Sequence, residues 1–251
     1  SDVLLFRSLE QLAGAATVNL ADSAYNASEL QAAGYANVSV FPLVLDLDAH
    51  PRDRDPQVLK IWGDGRTNIL FVGRCVPNKR IEDLLDALYY YRLGVDPTAR
   101  LIHVGSYAGS EPYYYFLRTR ARELQLDDTH FAGSVPQAQL NAYFATASVF
   151  LSMSEHEGFC IPLLEAMAAG VPVLAYAAGA VPETMDGAGV TFGVKHYEAI
   201  AEMLARLAKP TPMRTAVLAA QAARIARYRS RDLAAELRAH LAPLLTSSPH
   251  Q

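Results

Sequence analysis

The sequence predicts an α/β protein organised as a doubly wound parallel sheet, with extra helices towards its carboxyl end. Three observations predict it. From Asn68 onward, short β-branched or apolar runs alternate with longer segments of helical periodicity, and the unit recurs six times. The runs empty into loops carrying glycine near the turn, where a backbone can approach a ligand closely. About half of the 251 residues (51%) are apolar, which suits a chain that buries a sizeable core.

Residues 1–45 read as a separate piece: strand Thr17–Leu20, helix Ala27–Ala33 and strand Val38–Phe41. Asp46–Arg66 holds two prolines and several charges and reads as a linker. Residues 67–246 form the main domain. Its strands are expected at Ile69–Val72, Leu101–Val104, Thr129–Phe131, Ser148–Ser152, Pro172–Ala175 and Val190–Phe192. The helices between and after them are expected at Ile81–Tyr91, Tyr113–Leu124, Gln137–Thr146, Pro162–Ala169, Val181–Met185 and Tyr197–Lys209. From Met213 the chain is Ala- and Arg-rich and helical, ending in a frayed tail at Ser247–Gln251.

Several function classes are excluded. The net charge of −4, with no long run of like charge, does not suit a nucleic-acid partner. Cys75 and Cys160 lie far apart, in no metal-like spacing, and point to a reducing cytoplasm. No stretch is long enough to span a bilayer, and Ser1–Arg7 does not have the form of a signal peptide. That segment has no initiator Met and runs straight into a structured-looking stretch, so a fragment boundary is expected there. The loops also lack the Gly-x-Gly-x-x-Gly of a dinucleotide oxidoreductase.

In an open α/β sheet, ligands bind outside the carboxyl ends of the strands. The first exit, Gly73–Arg80, is basic: Arg74, Lys79 and Arg80 precede the helix that begins at Ile81. A helix N-terminus disfavours cations, so basic groups there make sense if an anion is shared between side chains and helix amides. Solvated cations screened by Glu82 and Asp83 account for them equally well. The fourth exit, Met153–Ile161, leads to Pro162 near a helix start, with Glu157 in the loop mouth and Glu165 a turn into the helix. The amides of Cys160, Ile161 and Leu163 lie where a sugar or phosphate oxygen could use them. Taken alone, Glu165 is also an ordinary first-turn acid, and Glu157, beside Glu155 and His156, an ordinary loop residue.

At these loops the chain resembles the group 1 (family 4) retaining glycosyltransferases of GT-B fold. The resemblance lies in Phe71–Leu88, with its Gly-Arg-x4-Lys, and in Ser154–Leu174, with the pair Glu157 and Glu165 inside Glu-Gly-Phe-x-x-Pro-Leu-Leu-Glu-Ala-Met. Phe131–Pro136, Gly179–Glu183 and Ala21–Leu30 add to it, so that it covers residues 15–195 in order. It implies a Rossmann-like donor-binding domain, a nucleotide-diphosphate sugar (UDP- or GDP-linked) as donor, and no cofactor or catalytic metal. It implies that Arg74 and Lys79 hold the diphosphate and offset charge as the nucleotide leaves, and that Glu157 contacts donor-sugar hydroxyls. Gly158, Phe159, Cys160, Ile161 and Leu163 then lie along the sugar and phosphate, Glu165 holds the ribose, Gly73 lies in the diphosphate loop, and Gly133, Ser134 and Val135 lie beside the base. Cys160 stands where many relatives carry Gly. Residues 1–45 match only the end of the acceptor-side domain. The isolated chain is therefore expected to bind donor and transfer poorly, with the saccharide or lipid-linked acceptor, and any peripheral membrane contact at the inner face, left to the missing part.

Other readings stay in view. A bare nucleotide-sugar-binding module, a nucleotide-sugar epimerase and a phosphorylase share the fold. A metal-dependent GT-A transferase needs Asp-x-Asp at a strand end, and Asp46-Leu47-Asp48 and Asp53-Arg54-Asp55 lie in the linker instead. His103 and His130 read as packed core or edge histidines, while His156 lies nearer the crevice. Tyr89–Tyr91 and Tyr113–Tyr115 read as helix packing and surface.

Overall fold

The computed structural model describes residues 12–47 and 53–246. Ser1–Arg7, Asp48 and the tail Ser247–Gln251 lie outside them. The chain divides into two compact units, one of residues 46–226 and one of residues 1–45 with 227–251. One division falls after residue 45 and the other inside the penultimate helix. Among the described residues no helix is long and apolar enough to cross a membrane.

The larger unit is a six-stranded sheet, parallel throughout, in the order β5-β4-β3-β6-β7-β8. Its strands are β3 (Asn68–Val72), β4 (Arg100–Val104), β5 (His130–Gly133), β6 (Val149–Ser152), β7 (Val173–Tyr176) and β8 (Val190–Phe192). The central strands are buried along their length, as a sheet covered on both faces requires: Ile69, Leu70, Leu101, Ile102, Val149, Phe150 and Val173 have no exposed surface. The covering helices are α3 (Ile81–Gly94), α4 (Glu111–Glu123), α5 (Gln137–Thr146), α6 (Ile161–Ala168), α7 (Val181–Met185), α8 (Tyr197–Ala208) and α9 (Pro212–Arg229).

The expected linker is not irregular throughout. Pro56–Trp62 is a helix, α2, because Asp55 caps it: its carboxylate accepts from the N–H groups of Gln57 (2.8 Å) and Val58 (3.0 Å). Pro56 then sits in the first turn, where its missing N–H costs nothing. Asp53 and Asp55 also bind α5, through Asn141 Nδ2 to Asp53 O (2.8 Å) and Asp55 N–H to Ala138 O (3.0 Å). Of the two, only Asp55 uses its carboxylate as a cap.

At the amino ends of the strands a polar network closes the sheet. Arg100, nearly buried, donates to Asn68 Oδ1 (2.7 Å) and Asp64 (2.5 Å) and lies 4.6 Å over the Trp62 ring. Asn68 in turn donates to the carbonyls of Trp62 and Thr146, both at 2.8 Å.

The smaller unit pairs β1 (Asn19–Ala21) with β2 (Val38–Val40) in parallel, around α1 (Ala24–Ala32). Ser23 caps α1 by accepting from Asn26 N–H (3.0 Å), so the helix begins three residues earlier than its apolar pattern indicates. The last helix, α10 (Leu233–Thr246), belongs here. Arg231 donates to Pro42 O (3.3 Å) and Glu236 (2.6 Å), and Phe41 meets His240 edge-on.

Candidate functional site

The strand order reverses between β3 and β6, and the crevice of an open α/β sheet lies at such a switch point. A row of glycines fits the strand exits together on that edge. A Cβ on Gly105 would stand 1.8 Å from Gly73 O, so this position takes no side chain. Gly73 N–H donates to Val104 O, Gly105 N–H to Gly133 O (both 2.9 Å), and Cys75 N–H to Ser106 O (2.8 Å). Gly179, at φ +56°, approaches the Glu157 backbone so closely that a Cβ would lie 2.4 Å from its carbonyl oxygen. The next amide, Ala180 N–H, donates to that carbonyl (2.8 Å).

His103 lies beneath this row, fully buried and stacked on Phe71. Its Nε2 is 2.9 Å from Gly73 O, and a carbonyl can only accept, so Nε2 carries the proton. Burial pushes the imidazole pKa down to about 4. Its Nδ1 has no hydrogen-bond partner among the described residues. The residue is a core histidine, as expected, but one that props the backbone of the first exit loop. His130 is likewise packed: Nε2 lies 3.0 Å from Tyr143 Oη and the ring 4.6 Å from that of Trp62. His156 is exposed.

The charged residues sort differently from one another. Lys79 Nζ and Glu157 Oε1 form an ion pair of 2.8 Å that bridges the β3 and β6 exits, both largely buried. Arg74 is exposed, and its side chain forms no hydrogen bond or ion pair with the described residues. Arg80 is screened as the alternative reading had it. Held at φ +50°, it pairs with Glu82 (3.0 Å), Asp83 (3.3 Å) and Glu155 (3.4 Å). A residue that the sequence reading missed completes this cluster: Lys195, from the β8 exit, bridges buried Asp83 (2.7 Å) and Glu155 (2.9 Å). Tyr197 Oη adds a bond to Asp83 (3.1 Å), and burial followed by the Asp83 charge pushes its phenol well up. Extending the strand-exit rule to the sixth exit, Gly193–His196, is the signal that could have found Lys195.

Two expectations about helix amides are corrected. The first amide of α3, Ile81 N–H, is already bound by Tyr113 Oη (2.9 Å), whose own proton goes to Glu82. Tyr113 is thus a cap for α3 rather than a surface aromatic, and the first amide of that helix is not available to an anion. On α6, Leu163 N–H is already engaged, donating to Cys160 O (3.1 Å), and its side chain is fully buried. The amides of Cys160 and Ile161 have no such backbone partner. Cys160 adopts φ +64°, the left-handed conformation that glycine enters without strain, which explains the expectation of Gly there. Its thiol is pushed well up by burial and by the neighbouring Glu157 carboxylate. Pro162 stands second in the helix rather than first.

The remaining predicted residues lie along the same edge. Gly158 is half-buried; Phe159 is buried, its carbonyl bonded by the Thr184 hydroxyl. Glu165 is half-buried a turn into α6. Gly133 closes β5, with Ser134 exposed and Val135 half-buried after it. Among the described residues no group of three His, Cys, Asp or Glu side chains could hold a metal ion.

Residues 53–224 match the family model described as Glycosyl transferases group 1. A GDP-mannose-dependent alpha-mannosyltransferase of Mycolicibacterium smegmatis is 35% identical over 130 residues, 51% of this chain and 31% of that one. A GDP-mannose-dependent alpha-(1-6)-phosphatidylinositol monomannoside mannosyltransferase of Mycobacterium tuberculosis is 33% identical over 152 residues, 57% of this chain and 38% of that one. The match thus spans about a third of the length of these curated relatives. In fold, the chain is similar to Anabaena HepE, crystallised with UDP and glucose (TM-score 0.78, 22% identity, 97% of this chain and 67% of that one). It is similar also to the sucrose-phosphate synthase of Thermosynechococcus elongatus (TM-score 0.77, 21% identity, 97% and 62%).

Proposed function

Because the chain belongs to the group 1 glycosyltransferases, we propose that it supplies the donor-binding half of an enzyme that moves a hexose from a nucleotide-diphosphate sugar to an acceptor, with retention of configuration and without a metal. The observation that carries this reading is the Lys79–Glu157 pair across the switch point, beside the unpaired Arg74. A diphosphate entering the crevice meets Arg74 first and then competes with Glu157 for Lys79. Once displaced from Lys79, the Glu157 carboxylate is free to accept from the hydroxyls of the sugar. As the bond from the anomeric carbon to the diphosphate oxygen breaks, its electron pair stays with the nucleotide, and the two cations stabilise that charge where it develops. Glu165 takes the ribose hydroxyls, and the amides of Cys160 and Ile161 remain for sugar or phosphate oxygens.

The curated relatives make GDP-mannose the first donor to test, and the fold neighbour HepE, crystallised with UDP-glucose, makes that donor the second. Acceptor recognition, and contact with the inner face of a membrane if the acceptor is lipid-linked, belong to a part outside this chain. The isolated chain therefore binds donor and transfers poorly. Calorimetric titration with UDP, GDP and ADP tests the reading. One nucleotide is expected to bind, with Arg74→Ala and Lys79→Ala each weakening it roughly 10- to 100-fold, the worth of one charge-assisted hydrogen bond. No binding of any of the three by a folded chain would sink the donor-site assignment.

A further inference from the structure

We propose that Tyr107, on the β4 exit, is the platform on which the donor's nucleobase stacks. The inference rests on the reading above and adds a residue to it. Tyr107 is 38% exposed, yet one face of its ring is covered by Tyr114 (centroids 4.4 Å apart, planes at 16°). Tyr114 stands edge-on to Phe131 (5.4 Å), and Phe131 edge-on to buried His103 (5.7 Å). The ring is thus the outer end of an aromatic column rooted in the sheet, with part of its surface left exposed.

The loop that carries it is held on both sides. Ser106 O accepts from Cys75 N–H (2.8 Å) and Tyr107 O accepts from Ser110 N–H (3.0 Å). The ring edge also leans over Gly133: a Cβ there would lie 3.4 Å from Tyr107 Cε1. Tyr107 therefore overlooks the β5 exit, where Gly133, Ser134 and Val135 present backbone and no charge.

Direction along the sheet identifies the ligand. A diphosphate held by Arg74 and Lys79 at the β3 exit has its sugar end on the β6 side, at Glu157. Its nucleoside end must run the other way, across β4 and β5, each one strand spacing of about 4.8 Å further on. Tyr107 stands on that side, and a neutral, rigid, half-open ring suits a flat heterocycle. Because every base has a π-face, the ring supplies affinity rather than identity. Base choice is left to the backbone around Ser134 and Val135.

The test is calorimetry on the full chain with its preferred nucleoside diphosphate and with inorganic pyrophosphate, which has no base. Tyr107→Ala is expected to weaken the nucleoside diphosphate about tenfold or more and to leave pyrophosphate unchanged, while Tyr107→Phe stays close to wild type. The proposal is overturned if Tyr107→Ala leaves the nucleotide unaffected, if it weakens pyrophosphate equally, or if Tyr107→Phe loses as much as Tyr107→Ala. A wild-type chain that binds pyrophosphate no less tightly than any nucleoside diphosphate also overturns it, with the cationic loop left standing. A folded wild-type chain that binds neither overturns the donor reading beneath it.

Discussion

The two edges of the six-stranded sheet are built from similar residues and do opposite things with them. At the amino edge, Arg100 is enclosed: its donors meet Asn68 and Asp64, and its plane lies over Trp62. Arg66 and Arg92 share Asp128 nearby (2.6 and 2.9 Å). At the carboxyl edge, the Arg74 side chain is unpaired among the described residues, Lys79 pairs with the Glu157 carboxylate across the switch point, and glycines keep the backbone bare. A cation whose partners are all protein contributes to folding. A cation left short of partners is available to a ligand, at some cost in stability.

Substitutions at the two edges should separate these roles. The largest effect is expected at the closed edge. Arg100→Ala leaves the Asn68 amide oxygen without its donor and removes the packing over Trp62, while Asp64, 39% exposed, keeps the Arg66 N–H. Urea denaturation should show a loss of about 3 kcal/mol. Nucleotide affinity of the folded protein should be unchanged. By contrast, Arg74→Ala should leave stability within about 0.5 kcal/mol of wild type while weakening binding roughly 10- to 100-fold. If Arg100→Ala weakened binding at full folding, the division between edges would fail.

The next effect depends on pH. His103 titrates near 6.5 when unfolded and about 4 when folded, so between those values the unfolded chain binds more protons. Its contribution is fully present above pH 6.5 and is lost as pH falls towards 4, by about 3 kcal/mol in all. Urea midpoints measured at pH 7 and pH 4.5 should therefore differ more for wild type than for His103→Gln. Equal differences would show that other groups carry the acid sensitivity.

The smallest effect is expected at Lys195. Lys195→Met leaves Asp83 still paired with Arg80 and Tyr197, so the stability loss should be about 1 kcal/mol. It also frees Glu155 from the β8 exit, which should weaken nucleotide binding several-fold through looser loops. Lys195→Arg should restore binding. A Lys195→Met protein with wild-type affinity would mean that the cluster serves folding alone and belongs with the closed edge.

The alternation of apolar runs and helical segments was enough to place all six strands of the main sheet and the helices between them, because both periodicities are written locally. What it missed were elements set by single polar side chains. The helix Pro56–Trp62 depends on the Asp55 cap, and in composition its sequence reads as linker. The start of α3 depends on a tyrosine 32 residues further along the chain. The candidate residues that the sequence offered all came from strand exits that were read, and Lys195 was missed because the sixth exit was not.

The sequence by itself determined the α/β class, the crevice at the strand exits, and the two loops that carry Arg74, Lys79, Glu157 and Glu165. Those follow from periodicity and from residue types confined to short windows. Only the tertiary structure decided which cations are occupied. Lys79 and Arg80 are neighbours of like charge, yet one spans the switch point to Glu157 and the other is bound into the cluster of Asp83, Glu82 and Glu155. The backbone makes that difference. Arg80 turns at φ +50°, which sends adjacent side chains to different partners on strands far apart in the chain. No local pattern records such pairings, because each depends on the distance between loops that the strand order brings together.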